Sequence, residues 1–135
     1  MITSINHIGI AVRDLEQSIE TFRKIFQFEE IQGETIESQK VHVAFFRVGD
    51  VLIELTSPTD DSSPIAKHIE KRGEGIHHIG CTVDDAGEEL RRLESEGIQL
   101  INRQPVEGAH HNLIAFLHPK STNGVLTEIC QEKQA

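Results

Sequence analysis

The chain has no apolar run longer than six residues, only two cysteines, and no low-complexity or linker-like stretch in its 135 residues. The short runs exclude a spanning helix, which needs about 20 apolar residues. No basic segment followed by an apolar stretch opens the chain, so no secretory leader is read there and a cytoplasmic location is expected. Cys81 and Cys130 each lie in an apolar, strand-like run without Cys-x-x-Cys spacing, and read as reduced core residues rather than a disulfide or a nucleophile. Positive charge is scarce: 13 Lys and Arg face 22 Asp and Glu, for a net charge of −9. Nucleic acid, which demands a basic surface, is thereby excluded as a partner. An anionic small ligand would need a local basic patch or a metal.

What is present is a repeat. Asn6-His7-Ile8-Gly9 returns as His77-His78-Ile79-Gly80, with His7 and His78 standing 71 positions apart. The same offset pairs Val12 with Val83, Asp14 with Asp85, Ile19 with Leu90, and Ala44-Phe45 with Ala115-Phe116. Later, Val51-Leu52-Ile53-Glu54-Leu55 echoes as Val125-Leu126-Thr127-Glu128-Ile129 at an offset of 74, so about three residues are inserted late in the second half. They fall in the loop His118 to Gly124.

Each half reads as β-α-β-β-β. In the first, residues 5–12 alternate with period two, setting Ile8, Ile10 and Val12 on one face and His7, Gly9 and Ala11 on the other. Asp14 is placed to cap a helix whose Leu15, Ile19, Phe22 and Phe26 form one apolar stripe. Strands are expected near 28–31, 41–48 and 51–56, the last two joined by a Gly49-Asp50 turn. A connector follows, with Ser63 as N-cap, Pro64 at the first helical position and Gly73 as the stop. In the second half, a strand carries His78, Gly80 and Thr82 on one face, a helix runs from Asp85 to Gly97, and strands are expected near 98–101, 113–117 and 125–130. The tail from Gln131 is polar and expected to fray. The expected fold class is α+β, one domain over 1–135, with module one about 1–58, a connector helix within about 59–74 and module two about 75–135.

Glu54 and Glu128 stand in otherwise apolar strands, where a carboxylate is costly unless it is paired or bound to a cation. A single strand histidine is usually a hydrogen-bonded core residue, and a single strand glutamate usually faces solvent. Here the pattern occurs twice in matching phase. If the halves associate about a pseudo-twofold axis, His7, Glu54, His78 and Glu128 converge, and two imidazoles with two carboxylates suit a divalent metal. Parity selects His78 over His77. His42, His68, His110, His111 and His118 lack duplicated support, although His110 and His111 lie in a loop that can edge the site. Glu88, Glu89, Arg91, Arg92, Glu94 and Glu96 read as a solvated helix face, and Lys67, Lys71 and Arg72 as surface residues.

Duplicated β-α-β-β-β modules with His and Glu ligands resemble the vicinal oxygen chelate, or glyoxalase-like, superfamily. Finer matches resemble its methylmalonyl-CoA epimerases: His7-Ile8-Gly9-Ile10-Ala11-Val12, Ser63-Pro64-Ile65-Ala66-Lys67, Arg72-Gly73-Glu74-Gly75-Ile76-His77-His78-Ile79, and Ala115-Phe116-Leu117-His118-Pro119-Lys120-Ser121. The resemblance covers nearly the whole chain. It implies an eight-stranded cup-shaped sheet, metal ligands at His7, Glu54, His78 and Glu128, a divalent ion such as Co²⁺, Mn²⁺ or Zn²⁺, and a homodimer. It also implies interconversion of (R)- and (S)-methylmalonyl-CoA by proton abstraction at C2 through a metal-stabilised enolate. Glu128 is then the expected base, with Lys120 and Ser121 contacting the acyl-CoA substrate.

One departure stands out. The inward strand position that carries a glutamate in some members is Val43 here. The second acid/base group is therefore open among Glu37, His42, His110 and a metal-bound water. Two other activities fit the same scaffold: a glyoxalase I-like lyase acting on a glutathione hemithioacetal, and a metal-free binding module. An iron dioxygenase fits less well, because its facial triad carries one carboxylate.

Overall fold

In the computed structural model, which describes residues 1–133, the period-two stretch at the start forms β1 (Ile2–Ala11), and Asp14 then caps α1 (Leu15–Phe26) by accepting from the Gln17 amide. There follow β2 (Gln32–Ile36), β3 (Val41–Val48), β4 (Val51–Pro58) and α2 (Pro64–Arg72), the last capped by the Ser63 side chain. The second half comprises β5 (Gly75–Val83), α3 (Ala86–Ser95) capped by Asp85, β6 (Val106–Glu107), β7 (Leu113–Leu117) and β8 (Thr127–Gln131). The chain divides into two compact units, one of His7–His77 and one of Met1–Asn6 with the residues from His78 onward.

In the first unit the strands run β2-β3-β4-β1, with β4 parallel to β1 and antiparallel to β3. The β3–β4 hairpin closes through Gly49-Asp50, as expected, with Gly49 at φ +60°, a conformation glycine adopts without a Cβ clash. The core lies between the sheet and α1. Val12, Ala44, Phe46, Ile53 and Leu55 are buried there, and Ile8, Ile10, Leu15, Ile19 and Phe22 pack against them. The apolar face of β1 thus meets the stripe of α1.

The second unit repeats the scheme as β5-β8-β7-β6, with β8 parallel to β5 and antiparallel to β7. Its core holds Val83, Ala86, Leu90, Ala115, Leu117 and Ile129. Four of these correspond by repeat to core residues of the first unit: Val83 to Val12, Ala115 to Ala44, Leu117 to Phe46 and Ile129 to Leu55.

Four expectations need correction. The third element of each half forms later than its apolar residues suggest. Phe28 and Ile31 pack into the first core from outside any strand, and β2 begins at Gln32. Ile98 and Leu100 likewise pack into the second core, Leu100 makes an isolated bridge to Leu117, and β6 forms only at Val106–Glu107. In both places hydrophobicity marks core packing, while the ladder uses more polar residues. The tail does not fray from Gln131, which ends β8. Glu132 accepts from Asn6 at 2.9 Å, the Lys133 amide donates to Asn112 at 2.9 Å, and the remaining tail lies outside the described residues.

Glu89 departs from the solvated face expected of α3. It is 3% exposed, with one carboxylate oxygen accepting from Arg92 at 2.6 Å and the other from the Met1 ammonium at 2.8 Å. These hydrogen bonds, Arg92's first, hold its carboxyl below the usual glutamate value of 4.5. A depressed folded-state pKa gives stability that is complete above the unfolded value and lost as pH falls through the folded one. Resistance to urea should therefore fall below about pH 4.5. Glu89→Gln should cost about 1–3 kcal/mol at pH 7 and flatten that acid limb. An unchanged acid limb in the variant would remove Glu89 from this role.

Candidate functional site

The candidate residues are set by ladder register. On β1, His7, Gly9 and Ala11 share the face opposite α1, and Gly9 lies level with Glu54 of the parallel β4. On the other flank of Glu54 stands Phe45 of β3. The second unit copies this arrangement: Glu128 of β8 lies between Gly80 of β5 and Phe116 of β7. Each glutamate is therefore flanked by a residue with no side chain and by one with a large apolar ring.

The histidine two residues before each glycine points along the same face. His7 Nε2 faces Glu54 Oε2 at 3.8 Å, and His78 Nε2 faces Glu128 Oε2 at 4.0 Å. All four residues are buried: His7 6%, Glu54 8%, His78 6% and Glu128 4% exposed. Both separations exceed a hydrogen bond. They fit two ligands of one ion, because atoms about 2.1 Å from a common metal lie at most about 4.2 Å apart. With one imidazole nitrogen and one carboxylate oxygen per unit, the donors suit a first-row divalent cation.

Neighbouring groups fix these side chains. The Thr56 hydroxyl donates to Glu54 Oε1 at 3.3 Å, so Oε2 is the atom turned toward His7. Thr56 had a legible signal, since it lies two residues after Glu54 and shares its face, but it has no counterpart in the repeat, where the position is Cys130. The Phe116 ring stands edge-on to His78, with centroids 5.8 Å apart.

The doubled histidine separates into two roles. His77 packs edge-on against His68 of α2, centroids 4.8 Å apart, and burial, with the His68 charge second, pulls its imidazole down to about 4. It is a neutral packing residue at neutral pH. Three other histidines find local partners: His42 with Thr35, His111 with Glu107, and His118 Nδ1 accepting from the Lys120 amide.

Lys120 and Ser121 lie on a 3-10 turn, Pro119–Ser121, within the inserted loop. Lys120 is exposed. The Ser121 hydroxyl accepts from the Gln99 amide at 2.9 Å, which braces the loop and leaves its O–H able to donate.

Residues 6–116 match the Glyoxalase/Bleomycin resistance protein/Dioxygenase superfamily. The chain belongs to that superfamily. It is similar to the uncharacterized protein YqjC of Bacillus subtilis, at 40% identity over 96% of this chain and 92% of that one. It is also similar to the ethylmalonyl-CoA/methylmalonyl-CoA epimerase of Cereibacter sphaeroides, at 37% identity over 97% of this chain and 99% of that one. Among solved structures, a methylmalonyl-CoA epimerase in complex with methylmalonyl-CoA and NH4+ superposes with a TM-score of 0.93 at 33% identity, over 98% of this chain and 96% of that one. The fold is the superfamily's α+β, eight-stranded one, as the repeat led us to expect. Among the described residues, no helix is long and apolar enough to cross a membrane.

On the opposite face of β5 from His78, burial, then the Glu128 charge, pushes the Cys81 thiol above the ordinary value of 9.0. With Cys130 also buried, both thiols should resist Ellman's reagent in the native protein at pH 8 and react fully in denaturant. Rapid native labelling of Cys81 would contradict this placement.

Proposed function

We propose that the protein is a metal-dependent epimerase that interconverts (R)- and (S)-methylmalonyl-CoA. One observation carries the reading: each unit holds one buried histidine and one buried glutamate, in the same register beside a glycine. Supporting it, each unit sets a buried imidazole against a buried carboxylate, His7 with Glu54 and His78 with Glu128, and relatives across nearly the full chain are acyl-CoA epimerases. In this reading His7, Glu54, His78 and Glu128 hold a single divalent ion such as Co²⁺, Mn²⁺ or Zn²⁺. The fold alone would not suffice, since one scaffold hosts many chemistries.

The proton at C2 of methylmalonyl-CoA lies between a thioester and a carboxylate, so its removal leaves an enolate. The ion, when bound, supplies Lewis-acid stabilisation of that developing charge. Glu128 is the proposed base, taking the C2 proton from one face. Thr56 keeps the Glu54 carboxylate oriented, and the low exposure of all four donors excludes bulk water from the charge that develops. Lys120, exposed on its turn, is proposed to meet the anionic end of the acyl-CoA, and the Ser121 O–H to donate to its carboxylate or thioester. A homodimer is the proposed assembly.

The reading makes two linked predictions. Purified protein should carry stoichiometric divalent metal, and His7→Ala and His78→Ala should each lose it while staying folded. With metal supplied in D₂O, the wild type should exchange the C2 proton of methylmalonyl-CoA, followed by NMR, and Glu128→Gln should slow this about 10²–10⁴-fold. Exchange no faster than background would defeat the epimerase. Turnover of methylglyoxal with glutathione would move the assignment to a glyoxalase I-like lyase, and a wild type that takes up no stoichiometric divalent metal would favour a metal-free binding module.

A further inference from the structure

Epimerisation moves a proton off one face of C2 and onto the other, so the reaction proposed above needs a second acid/base group besides Glu128. The register of the first unit decides which side chains share a face with Glu54. On β3, Ala44 and Phe46 lie in the core under α1, so the alternate residues Val43 and Phe45 take the Glu54 face. His42 falls in phase with Ala44, and its exposed ring contacts Thr35 at 2.8 Å. It is on the wrong face. Glu37 is exposed on the 3-10 turn Glu37–Gln39, beyond the ladder. Two of the groups left open by the sequence are thereby removed from the first unit's share of the site.

A different carboxylate takes their place. Glu34 of β2 is paired directly with Val43, and Val43 with Thr56, whose hydroxyl holds Glu54. Glu34, Val43 and Thr56 thus form one row across three strands on the Glu54 face. Glu34 is half-buried, while its chain neighbours Gly33 and Thr35 are exposed. With strands about 4.8 Å apart and about 3.4 Å per residue, the Glu34 and Glu54 Cα atoms are separated by roughly 12 Å, a span that leaves room for a small carbon centre. Compared with a glutamate at position 43, Glu34 starts one strand, about 5 Å, further out.

We infer that Glu34 is the second acid/base group of the epimerisation, serving from the strand beside Val43; the inference rests on the epimerase reading. In one direction Glu128 begins as a carboxylate and Glu34 as a carboxylic acid. Glu128 takes the C2 proton, the C–H electron pair becomes the enolate, and Glu34 gives its proton to the opposite face of C2. The product leaves Glu128 protonated and Glu34 ionised, the state from which the reverse direction starts. No oxidant, reductant or co-reactant enters.

The test starts from each diastereomer of methylmalonyl-CoA in D₂O with metal-loaded protein, following exchange at C2 and inversion separately. Glu34→Gln should keep exchange with retention from the diastereomer that Glu128 deprotonates, and lose inversion about 10²–10⁴-fold. Its metal content and melting temperature should match the wild type, Glu34→Asp should recover part of the inversion, and His42→Gln and Glu37→Gln should invert normally. Wild-type inversion in Glu34→Gln would overturn the inference, leaving Glu34 as an inward charge that protects an edge strand from association. Loss of metal in that variant would overturn it too, by making Glu34 part of the metal-holding set. A wild type that neither exchanges nor inverts the substrate would instead bring down the epimerase reading itself.

Discussion

The structure turns on the burial of two carboxylates in strand interiors. Glu54 and Glu128 are 8% and 4% exposed, each with an imidazole turned toward one of its oxygens. A buried carboxylate left without a partner costs several kcal/mol, so the surroundings must be built for it. The glycine level with each glutamate removes a side chain from one flank, and the phenylalanine on the other flank shields it from water. Because β1 and β5 must present the histidine and the glycine on one face, their other face is committed to the helix, which fixes the phase of both cores.

That phase explains what could be read from the sequence. A repeat kept at an offset of 71 through strand, cap and helix, and at 74 across the last strand, defines two β-α-β-β-β modules and chooses His78 over His77. Parity places His7 with Gly9 and Ala11, and the ladder agrees. Legibility ends where apolar residues serve the core from outside the ladder. Phe28, Ile31 and Ile98 are hydrophobic because they plug the cores, and Leu100 does so from a single bridge to Leu117, whereas β2 and β6 are short and polar, held by hydrogen bonds to a neighbour and not by a buried face.

Unduplicated features were the hardest to foresee. Glu89 looks like any acidic residue on a charged helix, and only the fold reveals that Arg92 and the Met1 ammonium cover it. Thr56 supports Glu54 in one unit, while the matching position in the other is Cys130, a buried thiol. The repeat records what both halves share. Asymmetry between them has to be read from side-chain contacts.

Asymmetry is also what an epimerase requires. A twofold ligand set can hold an ion from both sides, yet the two faces of a tetrahedral carbon are not equivalent, and the groups serving them need not be related by the repeat. Glu34 illustrates the point. Its ladder counterpart in the second unit, paired with Ile114 as Glu34 is with Val43, is Val106, which offers no ionisable group. In the proposed epimerase the edge strand of the first half would carry a function that its counterpart lacks, with Glu34, paired to Val43, supplying the second carboxylate from one strand further out.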